Sequence, residues 1–364
     1  MRKNKNNFIL VILVSLFFLS SSLWAVVADT PDYSLSERRV LASLPALDMK
    51  DILDGDFAED FDAYATDRFP ARDTWRAIKA YTAKVLLQKD HHGLYTAKGH
   101  ICKIEYPMKE PMLNRAIAIF DKIHQKYLED NAVYLAIIPD KNCYLAPESG
   151  HLSMDYESFT SYVAEGCDFA QYIEIADLLD ASDYYFTDSH WRQEKILDVS
   201  DRLKEAMGIS TPKSTNSTNY TKKTLESPFY GVYSGQSALN ITPDTIHYLT
   251  SDVIDAATTK GATAVYDFQK ATGKDPYEFF LSGNQSIITI HSPKAQTDKR
   301  LILFRDSFGS SLAPLLLDEY SEIVMVDIRY SPVDSLADYV NFNNADVLFL
   351  YSTSMLNQAT SFKN

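Results

Sequence analysis

Short, continuous apolar runs that alternate with helix-like segments constrain the fold of this chain more than any other feature of its sequence. One run, Ala132 to Ile138, ends at Pro139, and similar runs recur at Leu301 to Phe304, Ile323 to Val326 and Val347 to Tyr351. A strand that is buried on both faces has this composition, because neither face needs polar residues. Strands that alternate with helices are typical of a mostly parallel sheet covered on both sides. The sequence therefore predicts an α/β fold.

Further elements are predicted around these strands. Asp60 to Leu87 indicates two helices separated by Pro70, and Tyr95 to Ile104 indicates a short hairpin. The polar stretch from Thr211 to Thr224 predicts an exposed loop. Helices are also predicted at Met112 to Leu128, Tyr156 to Leu179, Trp191 to Met207 and Ser311 to Leu317, and strands at Ala264 to Phe268 and Ser286 to Ile290.

The first 28 residues predict export. Arg2, Lys3 and Lys5 precede an apolar stretch from Phe8 to Ala28, and such a basic flank keeps the N-terminus in the cytoplasm while the rest is sent outward. The stretch fits a cleaved signal peptide and an uncut membrane anchor equally well. Either way, the body of the protein is expected to be extracytoplasmic, secreted or anchored by residues 8–28. Residues 29–56 are polar and predict a linker, which leaves residues 57–364 for the folded domain.

Composition excludes some classes of function. The 364 residues carry a formal net charge of -14, which argues against nucleic-acid binding, because that function needs a basic face. Cys102, Cys143 and Cys167 are too few for a disulfide framework and lack the spacing of zinc ligands. They are best interpreted as small buried apolar residues, although one pair could form a disulfide in an oxidising compartment. We expect no metal ion and no cofactor.

Two short motifs carry most of the candidate chemistry. They are Thr187-Asp188-Ser189-His190-Trp191 and Arg305-Asp306-Ser307-Phe308-Gly309. The serine motif follows a predicted strand and precedes a predicted helix, so Ser307 is expected at the carboxyl edge of the sheet, where α/β folds bind ligands. Free amides at the start of that helix can stabilise an oxyanion, and Gly309 permits tight backbone geometry there. Asp306 and Ser307 also suit a simple helix cap.

The acid and the imidazole of the other motif complete the chemistry of a serine site. Asp188 and His190 are two positions apart, so in an extended segment their side chains point to the same side. The carboxylate would fix the imidazole tautomer and leave the other nitrogen to take a proton from Ser307. Alternatively, Asp188 and Ser189 cap the helix predicted from Trp191, and His190 is a surface residue. A metal site is a poor interpretation, because no second histidine is suitably spaced.

Three more polar residues are expected at the same edge of the sheet. Lys141 follows Ile138-Pro139-Asp140 and can anchor a substrate, but a solvated loop lysine is favoured. Arg329 and Tyr330 follow the strand at Ile323 to Val326 and can face the same cleft. A tyrosine there can donate to an oxyanion or stack on a sugar ring.

In the order of its motifs, the chain resembles the bacterial DHHW protein family and, through it, the SGNH-hydrolase-like domain of the alginate O-acetyltransferases. Besides the two motifs above, the similar segments are Asp67-Arg68-Phe69-Pro70-Ala71-Arg72-Asp73, Ile138-Pro139-Asp140-Lys141, Phe229-Tyr230-Gly231, Pro243-Asp244-Thr245-Ile246 and Asp327-Ile328-Arg329-Tyr330. Ser189 replaces the first histidine of the motif that names the family. The resemblance implies an SGNH-hydrolase-like α/β/α sandwich in which the Asp-x-His motif precedes the serine motif. It also implies that Asp188, His190 and Ser307 form the triad.

Together, the motifs and the resemblance predict an extracytoplasmic serine O-acetyltransferase or acetylesterase that acts on a cell-surface polysaccharide. Ser307 would take the acetyl group with His190 as base, and the amides of Ser307 and Gly309 would hold the oxyanion. The expected partners are a polysaccharide or other acetylated glycan and, for transfer, a membrane acyltransferase as acetyl donor. The alternative is a non-catalytic exported protein that binds a glycan or an assembly partner and retains a relic site.

Overall fold

The computed structural model describes residues 2–27, 31–34, 37, 39–83, 93–209, 220–239 and 241–363. The chain divides into two compact units, Met1–His92 with Ser234–Ile241 and Gly93–Tyr233 with Thr242–Asn364. The domain limits inferred from the sequence stay predictions. Most of the loop predicted at Thr211 to Thr224, and the end of the helix predicted to reach Leu87, lie outside the described residues.

The smaller unit is mostly helical. Its elements are α1 (Arg2–Val27), β1 (Tyr33–Ser34), β2 (Arg39–Val40), α2 (Met49–Asp54), α3 (Asp56–Asp67) and α4 (Arg72–Tyr81), with β1 and β2 antiparallel. Pro70 separates α3 from α4, which confirms the two predicted helices. Regular structure also occurs in the predicted linker, since β1, β2 and α2 lie within residues 29–56. Over the described part of the chain, no helix is long and apolar enough to cross a membrane.

Asp67, at the end of α3, organises this unit. Its carboxylate accepts two hydrogen bonds from the Arg39 guanidinium, at 2.5 and 2.7 Å, and one from the Ala42 amide at 2.9 Å. The hydrogen bonds from Arg39 hold the pKa of Asp67 down at about 2. The segment Asp67–Asp73, which resembles a segment of the DHHW family, therefore joins α3 to β2.

A seven-stranded sheet forms the centre of the larger unit. In spatial order its strands are β6 (Gln171–Tyr172), β5 (Val133–Ile138), β13 (Asp346–Ser352), β11 (Arg300–Arg305), β12 (Glu322–Val326), β10 (Ile287–His291) and β9 (Thr258–Lys260). The strands from β6 to β12 are mutually parallel, and β10 is antiparallel to both of its neighbours. The expectation of a mostly parallel central sheet is confirmed.

The larger unit also contains helices and two hairpins. Its helices are α5 (Glu110–Ile123), α6 (Asn142–Ser149), α7 (Tyr156–Gly166), α8 (Leu197–Ala206), α10 (Asp252–Ala256), α11 (Gly309–Leu312) and α12 (Thr353–Leu356), and α9 (Val232–Ser237) contains residues of both units. The antiparallel hairpins pair β3 (Leu94–Ala97) with β4 (His100–Lys103) and β7 (Thr221–Phe229) with β8 (Asp244–Thr250). The predicted hairpin at Tyr95 to Ile104 is thus confirmed.

Both faces of the sheet are buried. Along β11, Leu301 and Leu303 belong to the apolar cluster that contains Leu203 of α8. The alternate residue Phe304 belongs to a second cluster with Phe120 of α5. Because successive side chains of a strand point to opposite faces, helices cover the sheet on each side. The α/β/α sandwich expected from the sequence is therefore confirmed.

Two predicted helices have the wrong bounds, because backbone hydrogen bonds to other segments can override a helical pattern in the sequence. The helix expected to run to Leu179 ends at Gly166, and the chain then pairs with the sheet, where the Ile173 amide donates to the Leu135 carbonyl at 2.8 Å. The helix expected from Trp191 begins only at Leu197.

Two further differences lie in the second half of the chain. Residues 221–224 belong to β7 and not to a loop, and the strand expected at Ala264 to Phe268 is reduced to one bridge between Tyr266 and Phe280. The helix predicted at Ser311 to Leu317 begins earlier, as α11, and continues as a 3-10 helix over Ala313–Leu316.

Candidate active site

The two motifs meet at the carboxyl edge of the sheet. Ser307 lies just beyond the end of β11 and is half-buried. Its Oγ is 2.7 Å from Nε2 of His190, and Nδ1 of that ring is 2.6 Å from Oδ1 of Asp188. The three side chains thus form one continuous hydrogen-bonded chain, although the serine is distant from the other two in sequence.

The order of these contacts fixes the direction of each hydrogen bond. An ionised carboxylate only accepts, so Nδ1 of His190 carries a proton, and Nε2 accepts from the Ser307 hydroxyl. The Asp188 side chain is 1% exposed and the His190 side chain 13% exposed. The carboxylate is therefore shielded from water while the imidazole edge stays accessible. Such a chain can move a proton from Oγ to the imidazole while Oγ attacks an electrophile.

Backbone amides hold the Asp188 carboxylate. Its Oδ1 also accepts from the His190 amide at 3.1 Å, and its Oδ2 accepts from the Val232 amide at 2.8 Å. Residues 186–190 form a series of bends and not the extended segment that the sequence reasoning assumed. The acid and the imidazole are adjacent because the hydrogen bond from the His190 amide to the Asp188 carboxylate closes a tight turn. The cap interpretation of Asp188 and Ser189 is wrong, because α8 begins too far along the chain.

Aromatic rings fix the plane of the His190 imidazole. The Tyr277 ring stacks on it with centroids 3.8 Å apart and planes 14° apart, and the Phe308 ring packs against it at 4.9 Å. The Tyr277 hydroxyl donates to Ser311 Oγ at 2.9 Å, and burial raises the pKa of this phenol, so it stays a neutral donor. Tyr277 could not be identified from the sequence, because it lies in a short 3-10 turn without a recognisable motif.

Asp306 supports the serine turn and takes no part in the hydrogen-bonded chain. Its Oδ1 accepts from the Phe308 amide at 3.0 Å. Its Oδ2 accepts from the Ser352 amide at 2.8 Å and the Ser352 hydroxyl at 2.6 Å. Asp306 therefore joins the end of β11 to the end of β13, and Ser307 Oγ faces His190. The cap interpretation of these two residues was wrong, because the N-cap of α11 is Phe308 and no side chain caps it.

The backbone around Ser307 offers one free amide for an oxyanion. The Gly309 amide donates to the Asp306 carbonyl at 3.2 Å and would have to leave it to serve as a second donor. Within the described residues, the Ser307 amide has no hydrogen-bond acceptor. A Cβ at Gly309 would lie 2.8 Å from the Arg305 Cβ, so the glycine permits a close approach beneath the turn.

Lys141 is buried behind the Asp188 loop. The residue is 2% exposed, and its ammonium group donates to the Tyr185 carbonyl at 2.9 Å and to the Phe186 carbonyl at 3.2 Å. Burial lowers its pKa to about 8. The favoured interpretation of Lys141 as a solvated loop lysine was therefore wrong. Its contacts support the backbone that leads into Asp188.

Arg329 and Tyr330 lie beyond the end of β12, at the same edge as Ser307. The Arg329 guanidinium donates to both carboxylate oxygens of Asp327, at 2.9 and 2.5 Å, and lies 5.4 Å from the centre of the Tyr330 ring. Tyr330 is 45% exposed. The arginine is therefore committed to an ion pair, and the tyrosine presents its ring at the surface.

Asp244 and Gly231 hold the loop that carries Asp188, although no role was predicted for them from the sequence. Asp244 accepts from the Phe186 amide at 2.9 Å, the Thr187 amide at 2.7 Å and the Thr187 hydroxyl at 2.6 Å. The Gly231 amide donates to the same hydroxyl at 2.9 Å, and a Cβ at Gly231 would lie 2.2 Å from the Thr187 carbonyl oxygen. Both positions lie in the segments that carry the family resemblance, and this was the only signal for them.

The described residues contain neither a metal site nor a disulfide. Among the residues that the structure describes, no group of three or more His, Cys, Asp or Glu side chains is placed to hold a metal ion. Cys102, Cys143 and Cys167 are free thiols, and burial raises the pKa of each to about 12.

Comparisons with known proteins give similarity at the level of the fold. No protein-family model matches the chain, and no curated protein matches its sequence. A DHHW family protein from Eubacterium siraeum is similar with a TM-score of 0.60 and 20% identity, over 74% of this chain and 93% of that one. Bacillus cereus PatB1, solved with a sulfonyl adduct, is similar with a TM-score of 0.58 and 18% identity, over 74% and 98%.

A weaker similarity links the chain to the O-acetyltransferase domain of Pseudomonas putida AlgJ, with a TM-score of 0.45 and 11% identity over 73% of this chain and 92% of that one. No conclusion depends on it. The first two similarities establish that the chain has the fold of a DHHW family protein, which confirms the resemblance inferred from its motifs.

Proposed function

We propose that this protein is a serine O-acetyltransferase or acetylesterase, with Ser307 as nucleophile, His190 as general base and Asp188 as the carboxylate that orients the imidazole. The observation that carries the proposal is the hydrogen-bonded chain, with contacts of 2.6 and 2.7 Å, at the carboxyl edge of an α/β sheet.

The reaction would proceed through an acyl-enzyme. Ser307 Oγ attacks the ester carbonyl carbon while His190 Nε2 takes the hydroxyl proton. The negative charge on the carbonyl oxygen is met by the Ser307 amide, with the Gly309 amide as a second donor. The intermediate then expels the alcohol, which receives the proton from the imidazolium, and acetyl-Ser307 remains. Water or a sugar hydroxyl, deprotonated by His190, takes the acetyl group in the second half of the reaction.

The substrate that we propose is a cell-surface polysaccharide or other acetylated glycan. An extracytoplasmic location is supported by the basic flank and the apolar residues 8–28, whether they are cleaved or retained as an anchor. Transfer would require an acetyl donor delivered from across the membrane, and a membrane acyltransferase is the partner that we propose for this step. Hydrolysis would require only water at the acyl-enzyme.

Turnover of a chromogenic acetyl ester by the purified protein tests the proposal. We expect Ser307→Ala and His190→Ala each to lower kcat by about 10³-fold or more, because the members of such a triad act as a unit. Ser310→Ala is a matched control, since Ser310 lies in α11 just after the serine turn and is 3% exposed, and the hydroxyl that bonds to His190 is that of Ser307. It is expected to keep its turnover.

Covalent labelling is a second test of the nucleophile, and it does not require the acceptor of the acetyl group to be known. Phenylmethylsulfonyl fluoride reacts with activated serine hydroxyls, and mass spectrometry is expected to find its adduct on Ser307 in the wild type but not in His190→Ala. Turnover that survives in Ser307→Ala would show that another group is the nucleophile. No turnover and no adduct in the wild type would favour the non-catalytic glycan-binding alternative.

A further inference from the structure

A groove with a volume of about 450 Å³ lies at the edge of the sheet, outside the hydrogen-bonded chain of Ser307. It is formed by the start of β10, the end of β9 and the segment after β12. We infer that this groove binds pyranose units of a polysaccharide chain. The inference deepens the proposed function and rests on it only for the choice of a glycan as the ligand.

The groove and Ser307 share one edge of the sheet. In the strand register, Val326 of β12 is opposite Phe304 of β11 on one side and Ile287 of β10 on the other. Ser307 follows Phe304, and Tyr330 follows Val326. A polymer bound in the groove would therefore extend along the same edge at which Ser307 lies.

Tyr330 is a prearranged platform in this groove. Asp327 is fully buried and holds the Arg329 guanidinium through two hydrogen bonds, and that guanidinium lies over the Tyr330 ring at 5.4 Å. The ring is thus held by a fixed group while the residue keeps 45% of its surface exposed. A side chain that is already ordered loses little entropy when a ligand binds, so more of the contact energy appears as affinity.

Gly261 lets two backbone segments of the groove approach each other closely. It follows β9 with a φ of +90°, and a Cβ there would lie 2.3 Å from the Ile287 carbonyl oxygen. Only glycine allows the β9–β10 connection to approach this closely. The Asp327 amide donates to the Ser286 carbonyl at 2.9 Å, which fixes β10 to the segment that carries Tyr330.

The side chains that line the groove match the chemistry of a sugar. The rings of Tyr330 and Tyr339, which are 45% and 72% exposed, offer flat apolar faces for the C–H side of a pyranose. The hydroxyls of Ser286 and Thr289 and the ammonium of Lys260 can bond to sugar hydroxyls. No carboxylate is among the lining residues, so an acidic sugar is not repelled. A lipid would require a more apolar lining.

Isothermal titration with short oligosaccharides tests the inference. The probes are oligomers of N-acetylglucosamine, of glucose and of mannuronate, titrated into the full-length protein and into Ser307→Ala, so that binding is measured with and without chemistry. We expect the wild type and Ser307→Ala to bind at least one probe with equal affinity. Tyr330→Ala and Tyr339→Ala are each expected to weaken that binding by about tenfold, the effect of losing one stacked ring.

Two further variants keep the test specific. Tyr330→Phe keeps the ring and is expected to keep the affinity, whereas Phe268→Ala removes an aromatic residue that is 59% exposed but lies outside the groove and should change nothing. The inference is overturned if the wild type binds no probe, if both tyrosine-to-alanine variants bind as the wild type does, or if Tyr330→Phe loses as much as Tyr330→Ala.

The titration also separates this inference from the proposed function. Oligosaccharide binding without ester turnover would uphold the groove and reject the enzyme. Ester turnover without oligosaccharide binding would uphold the enzyme and reject the groove.

Discussion

A single methyl group at position 231 should disable the proposed enzyme although Ser307, His190 and Asp188 are all unchanged. In Gly231→Ala, the new Cβ would lie 2.2 Å from the Thr187 carbonyl oxygen and 2.5 Å from the Asp188 Cβ. Non-bonded heavy atoms pack best at about 3.5 Å or more, so the two segments must separate by roughly 1 Å. Since the closest atoms are backbone, no side-chain rotation can relieve the clash.

The separation would remove support from the carboxylate. The Val232 amide reaches Asp188 Oδ2 at 2.8 Å, and the Gly231 amide reaches the Thr187 hydroxyl at 2.9 Å. A misplacement of about 1 Å in a catalytic group costs on the order of 10²-fold in rate. We therefore expect kcat/KM to fall about 100-fold, or about 3 kcal/mol of transition-state stabilisation. Overpacking should also lower the free energy of unfolding by about 1–3 kcal/mol.

Ester turnover and denaturant unfolding of the same preparations measure both effects. Gly150→Ala is the matched control, because Gly150 has a φ of +73° and no atom within 4 Å of an added Cβ. Alanine there costs about 1–2 kcal/mol of backbone strain without a clash. The control should lose stability and keep its turnover. Full turnover in Gly231→Ala would refute the reasoning, and an equal loss in Gly150→Ala would show that stability, not geometry, limits the activity.

Three other predictions concern the same surroundings. Asp188→Asn should lower kcat/KM by about 10³-fold or more with an unchanged circular dichroism spectrum, because the amide no longer enforces the reactive tautomer of His190. Tyr277→Phe should keep most of the turnover and Tyr277→Leu should lose it, since the stacked ring orients the imidazole; equal rates in the two would contradict this role. Burial lowers the pKa of Lys141 to about 8 from 10.5, so between these pH values this residue binds more protons in the unfolded chain and its contribution to the free energy of unfolding should rise with pH. Lys141→Met should lack this rise in denaturant titrations, and an identical rise would disprove the assignment.

The elements of the fold that could be predicted are those that a short stretch of sequence defines by itself. Val347 to Tyr351 is a continuous apolar run, and it forms β13 in the middle of the sheet. The position of Ser307 followed from the same logic, since a residue after a central parallel strand must lie at the carboxyl edge. Sequence alone therefore located the serine correctly relative to the sheet.

The rest could not be predicted because it depends on long-range contacts. A buried lysine is rare, and it is tolerated here because two backbone carbonyls accept hydrogen bonds from the Lys141 ammonium, which also lies 5.2 Å from the centre of the Tyr233 ring. Tyr277 reaches His190 from a distant turn, and no periodic pattern marks it. The residues after Gly166 have a helix-like sequence pattern, but their backbone forms hydrogen bonds with β5 instead of a helix.

Ser307 and His190 are held by different parts of the chain. Asp306 ties the serine turn to the end of β13, whereas Asp244 and Gly231 tie the Asp188–His190 loop to the β7–β8 hairpin. A protein of this fold can consequently lose the hydrogen-bonded geometry of Ser307, His190 and Asp188 through changes in the hairpin while all three side chains are retained. If the proposed function is correct, active and inactive homologues would differ at the hairpin, so sequences should be sorted by the residues that hold the two motifs in place as well as by the motifs themselves.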